Sequence, residues 1–132
     1  MVTDAELVAR AAAVREHAYA PYSRFKVGAA LIAGSGAVYV GCNVENASYP
    51  LCVCAERTAI GTAIAAGETR IVRIAVITDT EPPASPCGGC RQVIWEFGPD
   101  AEVIVASVSG LVQVTSIRTL LPAGFDGGVL LR

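Results

Sequence analysis

The sequence predicts an α/β chain in which helices cover the faces of a mixed five-stranded sheet. Three observations carry that expectation. Five apolar runs of strand length are interleaved with longer helical segments. The order is helix, two strands, helix, strand, helix, two strands, and strands that alternate with helices imply a mixed sheet with helices on its faces. The chain has 132 residues, 53% hydrophobic and 17% charged, which suffices for a genuine core and argues against disorder.

The elements follow in order. Thr3 with Glu6 forms a capping box, the start signal of a helix, and Leu7, Ala11, Val14 and Ala18 then recur on one face before Pro21. Residues 26–33 and 37–44 read as strands joined at Gly34-Ser35-Gly36. Residues 27–44 carry no charge, as a membrane span would, but the glycines divide them into two strand lengths, so a hairpin is expected. Residues 43–51 are polar and turn-rich, a loop. Residues 55–66 are Ala-rich and helical, with Gly67 as the stop. The β-branched run 71–78 is a strand, and 81–86, with three prolines, is a loop. Residues 88–97 form a short helix, 102–108 and 111–116 strands around Ser109-Gly110, and 116–121 a short helix ended by Pro122. The composition of 124–128 is that of a flexible tail. No internal repeat or low-complexity tract occurs.

Composition also narrows the function classes. The formal net charge is −2, whereas a nucleic-acid binder normally carries a basic excess against phosphate. A small, near-neutral ligand suits this balance, and so apolar a small chain is expected to hide surface in an oligomer. Asp4 and Glu6 stand where a signal peptide would need a positive flank and an apolar run, so a cytoplasmic location is expected. Five cysteines, in a reducing compartment, point to metal or catalysis before disulfides.

The chemistry concentrates in two places. Cys54 precedes the second helix. Cys87 precedes the third, in Pro86-Cys87-Gly88-Gly89-Cys90. Helix N-termini stabilise thiolates, and two helices on one sheet can bring their starts together, gathering Cys54, Cys87 and Cys90 around one zinc. Three protein ligands leave a fourth position for water, the mark of a catalytic zinc. Glu56, in the first turn, is placed to move a proton to and from that water, and Arg57 to donate to the sulfurs. The spacing equally allows a closed structural site with Cys52 as fourth ligand. Glu56 alone reads as an ordinary helix N-terminal charge. Cys42 reads as core, and His17, the only histidine, as a solvated residue of the first helix. With no second histidine, a histidine-based triad is not a candidate.

Cys54-Ala55-Glu56-Arg57 together with Pro86-Cys87-Gly88-Gly89-Cys90 resembles the zinc-dependent nucleoside deaminases, a chemistry described generally for three-cysteine zinc sites. Asn43-Val44-Glu45-Asn46-Ala47-Ser48-Tyr49 resembles the ribose-binding loop of the small cytidine deaminases. Pro21-Tyr22-Ser23-Arg24-Phe25-Lys26-Val27-Gly28-Ala29-Ala30-Leu31 resembles their first strand and its lead-in, and Leu120-Leu121-Pro122 with Phe125 their C-terminal end. The resemblance covers nearly the whole chain. It implies a three-layer cytidine deaminase-like fold in one domain over residues 1–132.

The resemblance further implies zinc on Cys54, Cys87 and Cys90, with Glu56 as proton shuttle. Asn43 and Glu45 are then ligands of the ribose 3'-hydroxyl, Phe25 packs near base and sugar, the Ala55 backbone meets the pyrimidine O2, and the Ser85 carbonyl lies near the departing amine. Phe125 and Tyr49 contribute across subunit boundaries of a homotetramer. Read without the resemblance, Asn43 and Glu45 cap a loop and Phe25 is plain core. The implied reaction is hydrolytic deamination of cytidine and 2'-deoxycytidine in pyrimidine salvage. The alternatives are deamination of another aminopyrimidine nucleoside, editing of a polynucleotide, which the missing basic excess opposes, and a non-enzymatic zinc module. Two features depart from the family pattern: Cys52, where relatives often carry a small polar residue, and the tail after Phe125.

Overall fold

A computed structural model describes residues 2–131. Helix α1 (Asp4–Arg15) leads into strands β1 (Gly28–Ala33) and β2 (Val38–Cys42). A single 3-10 turn, Tyr49–Leu51, precedes helix α2 (Ala55–Ala65). Strand β3 (Ile71–Thr78), helix α3 (Gly88–Phe97), strands β4 (Glu102–Ser107) and β5 (Val112–Ser116), and the short helices α4 (Ile117–Leu120) and α5 (Gly128–Leu131) follow. The five strands form one sheet in the order β2-β1-β3-β4-β5. Strand β1 is antiparallel to both β2 and β3, β3 is parallel to β4, and β4 is antiparallel to β5. The expected mixed sheet is therefore present, with one parallel pair joined through α3.

Strand alternation divides the core in two. Ala30 and Ile32, Ala75 and Ile77, and Ile104 and Ala106 face α1 and pack on Leu7 and Ala11. Their neighbours Ala29, Leu31, Ile74, Val76, Val103 and Val105 face the other way, onto Ala59, Ile60 and Ala63 of α2, Ile94 of α3 and Ile117 of α4. Three layers result. Every residue of β1 is buried, which explains a strand without polar alternation. Two glycines permit the close approach of the helices. A Cβ at Gly28 would stand 2.0 Å from the Ala11 carbonyl oxygen of α1, and one at Gly41 would stand 2.3 Å from the Ala59 amide nitrogen of α2.

The capping box holds: Thr3 Oγ1 accepts from the Glu6 amide, and the Glu6 carboxylate accepts from the Thr3 amide. The first helix ends at Arg15, earlier than the apolar pattern suggests. The chain turns away there because the Tyr19 amide donates to the Asn43 carbonyl and the Glu45 amide to the Tyr19 carbonyl, a parallel bridge that a continued helix would forbid. His17 consequently lies exposed in the turn after α1 rather than on it. Cys42 ends β2, an edge strand, and is half-buried rather than core. Residues 43–51 are not loop throughout, since they contain the Tyr49–Leu51 turn, and the tail expected to be flexible runs into α5. Gly67 adopts φ +96°, as a helix stop requires.

The two glycines of the packed sheet and helix give opposite expectations. Gly41→Ala forces α2 off β2 and should cost about 1–3 kcal/mol in urea unfolding. Gly61→Ala, inside α2 with nothing within 4 Å of the added Cβ, should instead stabilise by about 0.5–1 kcal/mol.

Candidate metal and substrate site

Helices α2 and α3 lie on the same face of the sheet and touch each other, so their first residues meet near the end of β3. Cys54 is the N-cap of α2 and Cys87 the N-cap of α3, both in extended backbone, and Cys90 sits one turn into α3. Neither N-cap side chain is spent on capping its helix. The sulfurs of Cys54, Cys87 and Cys90 lie within 4.8 Å of one another, with Cys54 and Cys87 4.0 Å apart. Tetrahedral zinc with bonds of about 2.3 Å sets its sulfurs roughly 3.8 Å apart, so the group fits that ion in spacing and in donor type.

Electrostatics around the group are one-sided. The Arg57 guanidinium donates to Cys54 Sγ at 3.5 Å. The Cys54 thiol is lowered to about 5, first by a hydrogen bond from Cys90 and further by Arg57, against the opposing effect of burial. Cys90 moves up for the complementary reason: it donates to the Cys54 thiolate, it is buried, and the Glu56 charge lies close. Three thiols this close keep protons among themselves, and a divalent cation at their centre displaces them. Arg57 is raised by its hydrogen bond to Cys54. Glu56 is 4% exposed, and burial pushes its carboxyl up, aided by the Cys54 charge.

A cavity of roughly 270 Å³ reaches Cys54 and Cys87, while Cys90 of the same group is fully buried. Glu56, Cys54 and Cys87 form one side of its lining, with Ala55 beside them at the first position of α2. Phe25, Asn43, Glu45 and Ser85 line it as well. Among the described residues, no lysine, arginine or histidine lines it.

Asn43 and Glu45 also hold the mouth of the cavity together. Asn43 Oδ1 accepts from the Val27 amide at 2.8 Å, and its Nδ2 donates to the Phe25 carbonyl at 2.7 Å. The Glu45 carboxylate accepts from the Tyr22 amide at 3.0 Å, the Ser23 amide at 3.1 Å and the Ser23 hydroxyl. The loop-capping reading of these two residues and their place in the cavity wall are thus both realised. The Ser23 hydroxyl and the two amides hold the Glu45 carboxyl below the usual range.

Two expected residues lie elsewhere. Tyr49, 57% exposed, meets Tyr22 edge-on with centroids 6.2 Å apart. Phe125, 55% exposed, is in the tail, where its carbonyl accepts from Gln92 Nε2 at 2.8 Å. Neither lines the cavity. Cys52 does, but its sulfur accepts from the Asn46 amide at 3.3 Å and stands outside the three-sulfur group. Sequence reasoning missed Thr78, a buried hydroxyl at the end of β3 on the cavity wall, and Arg91. The cue for Arg91 is a cation near a helix N-terminus, against the dipole, which calls for dedicated partners.

Comparison with known proteins places this geometry. The family model described as the cytidine and deoxycytidylate deaminase zinc-binding region matches residues 1–107. The chain belongs to that family. It is 46% identical over 122 residues to the cytidine deaminase of Sporosarcina psychrophila, covering 92% of this chain and 90% of the relative. It is 48% identical over 120 residues to that of Halalkalibacterium halodurans, covering 90% and 91%. Among solved structures, the cytidine deaminase of Burkholderia pseudomallei superposes with a TM-score of 0.90 at 54% identity, over 93% of this chain and 99% of that one. The cytidine deaminase of Mycobacterium tuberculosis gives 0.81 at 35% identity, over 93% and 98%. The three-layer deaminase fold and the zinc-binding character of the cysteine group follow from this membership.

Two expectations arise from the geometry. Zinc per purified chain should fall sharply in Cys54→Ser, Cys87→Ser or Cys90→Ser and stay at the wild-type level in Cys52→Ser. Glu45 is depressed in the folded chain, so its contribution is present above the ordinary carboxylate pKa and is lost as pH falls through the lower folded value. Protection of the Tyr22 and Ser23 amides against exchange, taken relative to their intrinsic rates, should therefore fall in acid, and Glu45→Gln should abolish that dependence.

Proposed function

We propose that the chain hydrolyses cytidine and 2'-deoxycytidine to uridine and 2'-deoxyuridine, releasing ammonia, in pyrimidine salvage. The observation that carries this reading is the buried Glu56 lining the same cavity as Cys54 and Cys87 of the three-cysteine group. Zinc held by Cys54, Cys87 and Cys90 supplies Lewis acidity that lowers the pKa of water from about 15.7 towards 7 and so provides a nucleophile near neutral pH.

The chain's own residues do the rest. Glu56 removes a proton from the attacking water as the oxygen bonds to C4. It delivers that proton to N3, and it carries the second one to the amine, which leaves as ammonia when the C4–N bond breaks. A carboxyl raised by burial suits a group that must both take and return a proton. Arg57 offsets the negative charge of the sulfurs. Asn43 and Glu45 bind the ribose 3'-hydroxyl with the lone pairs and the amide hydrogen that their loop contacts leave over. Phe25 packs against base and sugar, the Ala55 backbone meets the pyrimidine O2, and the Ser85 carbonyl accepts from the departing amine.

The missing cations favour a nucleoside. A 5'-phosphate would enter a cavity lined by two carboxylates and three thiols, with no lysine or arginine among the described residues to receive it. The same lining disfavours a polynucleotide. Asn43 and Glu45 favour an unmodified ribose over other aminopyrimidine compounds, and the Cys52 sulfur, turned to Asn46, disfavours a closed four-cysteine module.

Phe125 and Tyr49, exposed and outside the cavity, complete the sites of neighbouring copies in a cytoplasmic homotetramer whose protomer is one deaminase domain over residues 1–132. Stacking of Phe125 on the base contributes roughly 1–3 kcal/mol. Among the described residues no helix is long and apolar enough to cross a membrane.

The decisive assay follows the absorbance of cytidine with purified protein. Turnover of cytidine and deoxycytidine is expected, with cytidine 5'-monophosphate far slower. Glu56→Gln should retain zinc while kcat falls about 10²- to 10⁴-fold; full activity in that variant contradicts the role of Glu56. Light scattering should give four chains per particle.

A further inference from the structure

Residues 81–86 form one wall of the cavity through Ala84 and Ser85 and lead directly into Cys87. They have little to hold them. Three are prolines without an N–H donor, and among the described residues no backbone–backbone hydrogen bond reaches the segment. Arg91 of α3 supplies what is missing. Its Nε donates to the Pro86 carbonyl at 2.7 Å and its Nη2 to the Ser85 hydroxyl at 2.8 Å. Its Nη1 donates to the Leu120 carbonyl at 2.9 Å, one of the carbonyls that the end of α4 leaves without an internal partner. The planar guanidinium is therefore fastened at three points from two segments and cannot swing with the loop.

From this geometry we propose that Arg91 is a positioning residue for the reaction: it fixes Ser85 and Pro86, and with them the wall facing the reacting amine, relative to Glu56. The role rests on the deamination reading given above. Arginine is required because its fork reaches three acceptors in one plane, whereas the compact ammonium of lysine cannot. Arg91 does not touch the substrate. It acts through the Ser85 carbonyl, whose place matters when the C4–N bond breaks and matters little for ribose binding.

The test compares Arg91→Lys, Ser85→Ala and the double variant, measuring kcat and KM for cytidine, the inhibition constant of uridine, which lacks the amine, and zinc per chain. A misplacement of about 1 Å is expected to lower kcat roughly 10- to 100-fold in Arg91→Lys, while KM, uridine inhibition and zinc stay within about twofold. Ser85→Ala removes one of the three bonds and should lose less. In the Arg91→Lys background it should cost almost nothing further, because both substitutions break the same contact. Wild-type kcat in Arg91→Lys overturns the role. So does a loss of zinc or of uridine binding in step with kcat, or single losses that multiply in the double variant. A wild-type protein that leaves cytidine unchanged overturns the deamination reading itself and removes this role with it. That result is distinct from an active wild type with an indifferent Arg91.

Discussion

Three cysteine sulfurs held within 4.8 Å of one another set the terms for the rest of the molecule. Thiols at this spacing compete for one negative charge, and only a cation lets all three ionise together. The fold keeps them there through ordinary apolar packing. Ala59, Ile60 and Ala63 of α2 and Ile94 of α3 lie on one sheet face, which fixes where both helices begin. The cysteines occupy those beginnings, where free N–H groups and the dipole favour thiolate. Gly41 lets α2 lie close against β2, so the site depends on a missing methyl group as much as on the sulfurs.

The chemistry then follows from what surrounds the sulfurs. Arg57 is the cation at their edge, and Glu56 is the carboxyl buried against them. Burial that would be a liability for a structural glutamate would give the proposed proton carrier its affinity for protons. Also in the cavity lining, Asn43 and Glu45 fasten the segment that bears Phe25. The side chains proposed to bind the ribose hydroxyl are thus the ones that hold the scaffold, which ties the shape of the cavity to that chemistry.

Much of this was legible in the sequence, for identifiable reasons. Strand β3 and helix α3 match their sequence-read bounds, because β-branched runs and glycine or proline borders are local signals. The cysteine spacing pointed to the metal group without any coordinates. The early end of α1 was not legible, since it depends on the pairing of Tyr19 with the distant 43–45 segment. Nor was Arg91: its three acceptors lie in residues 85, 86 and 120, and nothing in the local pattern announces the last of these. Spacing alone does not distinguish Cys52 from a fourth ligand, because the Asn46 amide that its sulfur accepts from is a backbone contact that carries no sequence signal.

Cys54, Cys87 and Cys90 would hold the metal with three sulfurs and leave one position, beside Glu56, to water. X-ray absorption at the zinc edge of the purified wild-type protein counts the sulfurs directly. Three sulfurs and one light-atom neighbour are expected, with the light neighbour still present in Cys52→Ser. Four sulfurs in the wild type, dropping to three in Cys52→Ser, would contradict this assignment.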